Sequence, residues 1–184
     1  MGFGLKLIRS TGMDGFTGNQ ESFPIQPSNT SPIFTGDLVR LDGGWIVEAS
    51  GAEDNADFSV LGVFQGCRYV DSNGDFVYRS FWDGAANREN IEAYVGQPDG
   101  AMFLIKGAPD TSYSQSAIGG RFGVAYSAGS TIYGDSRVTL AATPASTGPL
   151  LVHRLHRTPN NDFDTDGPVF EVSIARKQGH PALA

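Results

Sequence analysis

Apolar residues occur along most of this chain in short runs, and clusters of Gly, Asp, Asn and Pro separate the runs. From residue 37 onward this pattern predicts short β-strands joined by tight turns, because Gly supplies the positive φ angles that such turns need. The predicted strands span residues 37–41, 45–49, 59–65, 67–70, 75–82, 91–95, 101–106, 121–126, 136–142, 150–157 and 168–176, with a short helix near 113–118.

Two of these strands have informative patterns. Residues 59–65 are apolar on both faces, which predicts a strand that is buried on both sides, and Gly66 is expected to break it or to form a bulge. Residues 168–176 alternate between two faces, which is typical of a half-buried strand. One face holds Phe170, Val172 and Ile174, and the other holds Glu171, Ser173 and Ala175.

Residues 1–36 have a different pattern, since they are rich in Gly and Pro and their apolar residues are isolated. No strand or helix period persists there, so we predict an extended N-terminal arm. Two interpretations of this arm remain open: it fills separate pockets on a partner, or it wraps its own domain. If a partner is involved, the candidate residues for contacts with it or with a neighbouring subunit are Phe16, Phe23, Ile25, Ile33 and Phe34.

The pattern as a whole predicts an all-β protein, a barrel or sandwich of about ten short antiparallel strands with an extended N-terminal arm. The predicted organisation is an arm over residues 1–36, a β domain over 37–176 and a loose C-terminal tail over 177–184. The composition agrees, because 24 Gly and 10 Pro among 184 residues disfavour long helices.

Charge is distributed unevenly along the chain. Residues 37–99 contain 12 of the 20 acidic residues and only four bases, a formal charge of −8, whereas the remainder sums to +1. Nucleic-acid binding depends on clustered Lys and Arg, so we expect no nucleic-acid partner. No apolar run approaches the ~18 residues of a membrane span, so we expect no membrane partner.

Cys67 is the only cysteine, so the chain has no intramolecular disulfide. No signal-peptide pattern is present at the N-terminus, and we therefore expect a soluble protein made in a reducing compartment. We predict no catalytic site and no cofactor. A buried apolar thiol is the favoured interpretation of Cys67, and His153 and His156 would point to opposite faces of a strand, which disfavours a shared metal ion.

The sharpest local motif is DFDTDG at residues 162–167. Alternating carboxylates before a Gly match the first half of a calcium-binding loop, which makes Asp162, Asp164 and Asp166 weak candidate calcium ligands. The twelfth position is Ser173 instead of a bidentate Glu, and no flanking helices are predicted. An acidic surface loop is therefore the favoured interpretation.

A series of strand and turn blocks runs through residues 33–175: GDLV at 36–39, LGVFQGCRY at 61–69, FW at 81–82, AYVGQPD at 93–99, MFLI at 102–105, YGDS at 133–136 and PLLV at 149–152. This order resembles the capsid decoration (cement) or head-associated structural proteins of tailed bacteriophages. The resemblance rests on strands and turns and carries no family site residues.

The resemblance implies a virion protein that binds the outer surface of the capsid and cements adjacent major capsid protein subunits, after synthesis in the host cytoplasm. It also implies a homo-oligomer, a trimer first and a dimer as the alternative. The acidic block would then face solvent, and the arm and the C-terminal third would contact the shell. Alternative functions are a head fibre base, a tail part or a carbohydrate-binding β module that stacks sugars on Trp45, Trp82 and Tyr94.

Overall fold

The computed structural model describes residues 3–10, 20–49 and 59–178. These residues form twelve β-strands in two antiparallel sheets of six strands each, and the sheets do not close into a barrel. The all-β prediction is confirmed, and of the two predicted architectures the sandwich is the one consistent with these sheets. A 3₁₀ turn, Gln115–Ala117, lies where the short helix was predicted.

Each sheet combines strands from distant parts of the chain. Sheet 1 contains, in spatial order, β1 (Lys6–Ser10), β8 (Ala101–Lys106), β12 (Val169–Ile174), β11 (Leu150–Leu155), β9 (Arg121–Ala125) and β10 (Thr139–Pro144). Sheet 2 contains β2 (Gln20–Pro24), β7 (Glu89–Gly96), β5 (Gly62–Val70), β3 (Leu38–Asp42) and β4 (Trp45–Glu48), and β6 (Phe76–Arg79) pairs with the second half of β5.

The strands predicted from residue 37 onward are present, with ends shifted by a few residues. The predicted strands 59–65 and 67–70 form one continuous strand, β5. Its pairing with β7 shifts register between Phe64 and Gly66, and Gly66 has a φ of 144°, which side-chain-bearing residues rarely adopt. The predicted bulge is therefore confirmed at Gly66.

The described parts of the N-terminal segment belong to the β domain. β1 pairs with β8 in sheet 1, and β2 pairs with β7 in sheet 2. This placement corrects the prediction of an arm over 1–36 that is separate from the domain. Of the two interpretations left open, residues 3–10 and 20–36 follow the second, since they pack on their own domain.

The start of the predicted loose tail is attached to the domain. The Gln178 side chain accepts a hydrogen bond from the Leu41 amide at 2.6 Å and donates one to the Leu41 carbonyl at 2.8 Å. Lys177 forms a β-bridge with Val60 and an ion pair with Asp99. The remaining predicted tail residues, 179–184, lie outside the described residues.

Two hydrophobic cores lie on opposite sides of β3 and of the first half of β5. On β3, Leu38 belongs to the core beneath sheet 1, and the next residue, Val39, belongs to a second core on the other side. Val63 and Phe64 divide between the same two cores. This confirms the prediction of a strand buried on both faces, which follows from consecutive apolar residues pointing in opposite directions.

The second core is covered by the segment that follows β2. Ile25 and Ile33 are 1% and 0% exposed, and Ile33 exchanges backbone hydrogen bonds with Trp82 at 3.0 and 2.8 Å. Phe23 is half-buried against the same core, and Phe34 is buried with its ring stacked on Phe81 at 5.6 Å between centroids. Ile25, Ile33 and Phe34 are thus corrected from candidate contact residues to core residues, because their side chains fill this chain's own interior.

Phe16, the remaining candidate contact residue, lies outside the described residues.

A buried turn around Asp37 links the two sheets. The Asp37 carboxylate accepts a hydrogen bond from the Phe34 amide at 2.7 Å and another from the Ser136 side chain. The Asp37 carbonyl accepts one from the amide of Phe64 in sheet 2, and the adjacent Gly36 carbonyl accepts one from Leu5, which precedes β1 of sheet 1. The turn therefore fixes how the two sheets meet.

Candidate functional site

The two sheets differ in the charge of their strands. Sheet 1 carries five bases and one acid in its strands: Lys6, Arg9, Lys106, Arg121, Arg154 and Glu171. Sheet 2 carries three bases and five acids: Arg40, Arg68, Arg79, Glu21, Asp42, Glu48, Glu89 and Glu92. The formal charges are thus +4 and −2, so the charge asymmetry of the sequence becomes an asymmetry between sheets.

The outer face of sheet 1, which we call the basic face, is centred on a buried carboxylate. Glu171 on β12 is 3% exposed although its side chain points away from the core. Arg154 donates to it from Nε at 2.8 Å, Arg9 from Nη2 at 3.3 Å, and His156 from Nδ1 at 3.1 Å. Side chains from β1, β11 and the residue after β11 therefore close over one carboxylate.

The partners of Glu171 keep it ionised. Burial alone would raise its pKa, but the hydrogen bonds from Arg154 and His156 and the charges of Arg154 and Arg9 outweigh that effect and lower the pKa below the ordinary value of a glutamate. Two arginines share this single carboxylate, so the cluster retains excess positive charge. That charge is presented on the surface, since the Arg9 and Arg154 side chains are 49% and 43% exposed.

A shallow cleft of about 590 Å³ lies beside this cluster, between β1, β8, β12 and β11. Arg9, Arg154, His153 and Lys177 line it together with the polar side chain of Ser173. His153 Nε2 lies 2.8 Å from the Ser173 hydroxyl, which fixes the ring across the bulge in β11. The basic face thus combines surplus cationic charge with a shallow, open surface.

The outer face of the β5–β6 hairpin is aromatic. Phe76 and Tyr78 are each 66% exposed and project from the same side of β6. Next to them, Arg68 on β5 pairs with Glu92 on β7 at 2.8 Å. Two large aromatic side chains on an edge strand expose more apolar area than the isolated surface residues that are common in proteins.

The sugar-stacking prediction is wrong for Trp82. Its ring is 0% exposed, it packs edge-on against Tyr69 with centroids 5.9 Å apart, and its Nε1 donates to the Asn29 carbonyl at 3.1 Å. Trp45 is 37% exposed on β4 and Tyr94 is half-buried on β7, with β3 and β5 between those strands. The three predicted aromatics therefore do not form one sugar platform.

The structure does not bring the calcium candidates Asp162, Asp164 and Asp166 together into a metal-binding cluster. Among the described residues, no group of three or more His, Cys, Asp or Glu side chains is placed to hold a metal ion. Asp166 instead accepts a hydrogen bond from the Asp110 amide at 3.0 Å, and the Asp162 amide donates to the Thr165 hydroxyl at 3.0 Å. These carboxylates belong to a hydrogen-bonded surface loop before β12.

Cys67 is a buried core residue. It is 1% exposed, and burial together with the charge of Asp83 raises its pKa to about 12, despite the opposing charges of Arg88 and Arg79. The thiolate is the nucleophilic form of cysteine, so a thiol with this pKa is unreactive near neutral pH. His153 and His156 have separate hydrogen-bond partners, Ser173 and Glu171.

Sequence reasoning missed the groups that define both surfaces. Arg9 and Glu171 lie 162 positions apart and meet only because β1 and β12 both pair with β8. Phe76 and Tyr78 occupy alternate positions in a predicted strand, which signalled a common face. Nothing in that local pattern showed that the face would be exposed.

Comparison with known protein families, with curated proteins and with solved structures finds no match for this chain. Within the described residues, no helix is long and apolar enough to cross a membrane.

Proposed function

We propose that this chain is a virion structural protein that binds the outer surface of a tailed-phage capsid and cements adjacent major capsid protein subunits. Two features support the proposal: the resemblance of its strand and turn blocks to decoration proteins, and an all-β body whose charge is divided between its sheets. The division of charge carries the most weight, since it gives the molecule two chemically different faces.

The basic face is the surface that we assign to the shell. The sequence suggested the N-terminal segment and the C-terminal third as sources of shell contacts, and β1 and β12, which come from these regions, lie in the same sheet. Surplus positive charge around Arg9 and Arg154 suits an acidic patch on a partner, because complementary charge steers association and fixes orientation. The acidic strands of sheet 2 would then face solvent.

Binding to purified particles tests the proposal. Expanded capsids lacking this protein, from the phage that encodes it, are incubated with the purified chain and sedimented, and the bound fraction is measured at low and high salt. Saturable binding that raises the capsid melting temperature is expected. Absence of binding by the wild-type chain would overturn the proposal.

A matched pair of charge reversals tests the assigned face. Lys6→Glu on β1 should weaken capsid binding about fivefold at low salt, with a smaller effect at high salt where surface charges are screened. Arg40→Glu on β3 makes the same change in net charge on sheet 2 and should leave binding within about twofold. Equal losses in both variants would show that net charge, and not the basic face, governs the interaction.

A further inference from the structure

The β6 strand is an edge of sheet 2 with a free side. Its four residues, Phe76–Arg79, pair with β5 on one side, and no strand of the described residues pairs with it on the other. An edge of this kind presents unpaired amide and carbonyl groups to any second strand that fits.

The register shows which groups point outward. The Asp75 carbonyl accepts a hydrogen bond from the Asp71 amide at 3.0 Å, so the backbone groups of Asp75 point toward β5. In an antiparallel strand every second residue directs its backbone groups to the same side. Val77 and Arg79 therefore also direct their amides and carbonyls toward β5. The amides and carbonyls of Phe76 and Tyr78 therefore point to the free edge.

Several other edges carry features that discourage pairing. β2 and β10 end at Pro24 and Pro144, and β1 carries Lys6 and Arg9. β6 contains no proline or lysine, and its two outward-hydrogen-bonding residues are the exposed aromatics Phe76 and Tyr78. The β6 edge therefore lacks the features that protect β1, β2 and β10.

We propose that two copies of this chain associate through β6, antiparallel, about a two-fold axis at Val77. Phe76 of one copy then lies opposite Tyr78 of the second copy, and the reverse pair forms across the axis. Each Phe–Tyr pair exchanges two backbone hydrogen bonds, because these residues hold the outward-pointing groups. The two sheets join into one continuous sheet across the dimer.

The charges flanking the strand fit the same register. With the axis at Val77, Asp75 of one copy lies directly opposite Arg79 of the second copy, and this occurs twice by symmetry. These residues form non-hydrogen-bonded pairs, in which side chains approach most closely. Moving the axis to Phe76 or Tyr78 would place Arg79 or Asp75 opposite an uncharged residue, so the Val77 register is the self-complementary one.

This association is isologous, with the same patch on both copies, and therefore gives a dimer, which is the alternative to the trimer that the resemblance implies first. It does not depend on the capsid proposal, since every group involved lies on β6 or directly beside it.

A charge swap tests the register. Asp75→Arg places two arginines opposite each other in its homodimer, and Arg79→Asp places two aspartates opposite each other. Each variant alone should dimerise about tenfold more weakly in sedimentation-equilibrium measurements at low salt. An equimolar mixture of the two should recover wild-type affinity, because every Arg then faces an Asp. Recovery also shows that both variants are folded.

Amide hydrogen exchange gives a second readout. The Phe76 and Tyr78 amides should become protected as protein concentration rises, whereas the Val77 and Arg79 amides, which face β5, should be protected at every concentration. A wild-type chain that remains monomeric at about 100 µM, where even weak specific complexes form, would overturn the proposal. So would a dimer that neither single variant weakens.

Discussion

Asp37 and Glu171 are both almost fully buried carboxylates, 2% and 3% exposed, yet their surroundings are opposite. Glu171 has two arginines and a histidine around it. Asp37 takes part in no ion pair among the described residues and relies on the Phe34 amide and the Ser136 side chain. Burial raises the pKa of Asp37 and those two hydrogen bonds only partly offset the rise, whereas the pKa of Glu171 is lowered. Partners, more than burial, set how a buried carboxylate behaves.

The largest effect should come from removing the Asp37 side chain. Asp37→Ala leaves the buried Phe34 amide without its acceptor and opens a small cavity at the junction of the sheets, so the free energy of unfolding should fall by about 2–4 kcal/mol. Urea denaturation measures the loss. Asp42→Ala removes a carboxylate that is 62% exposed and should change the free energy by less than about 0.5 kcal/mol. A similar, small loss in both variants would show that the Asp37 turn does not fix the junction.

Replacing each buried carboxylate by the corresponding amide should change the stability of the protein differently at the two sites. Glu171→Gln keeps the shape of the side chain but removes the charge that the two arginines and His156 face. The free energy of unfolding at pH 7 should therefore fall by about 1–2 kcal/mol. Asp37→Asn keeps an acceptor for Phe34 and removes a charge that has no cation, so stability should stay within about 1 kcal/mol or rise. An equal loss of unfolding free energy in Asp37→Asn and Glu171→Gln would contradict the proposed difference between the two sites.

The sequence predicted part of this comparison. Alternation placed Glu171 on the outer face of the last strand, and consecutive apolar residues at Val63 and Phe64 predicted the strand that divides the two cores. The closure of Arg9 over Glu171 could not be predicted, since β1 is held by pairing with β8 and its own five residues carry little strand signal. Local periodicity indicates which way a side chain points, and only long-range pairing decides what lies there.

The same reasoning explains the N-terminal segment. Ile25 and Ile33 are isolated in the sequence, which suggested residues meant for a partner. They are buried because the segment after β2 packs over the second core of sheet 2 and excludes water from it. An isolated apolar residue has no period from which its environment could be predicted.

The smallest effect is the pH dependence, where the two sites should differ in sign. Glu171 has a lowered pKa, so its stabilisation is fully present above about the ordinary value of 4.5 and is lost as pH falls through the folded value. The melting-temperature gap by which the wild type exceeds Glu171→Gln should therefore persist down to about pH 5 and shrink below that. Asp37 has a raised pKa, so its charge opposes folding most above the folded value, and any advantage of Asp37→Asn should be largest at pH 7 and absent below the ordinary value of 3.8. Thermal melts of the three proteins across this range measure both curves. If the melting-temperature difference from wild type had the same sign in both variants, both carboxylates would be stabilised by cations. That result would contradict the difference between the two sites.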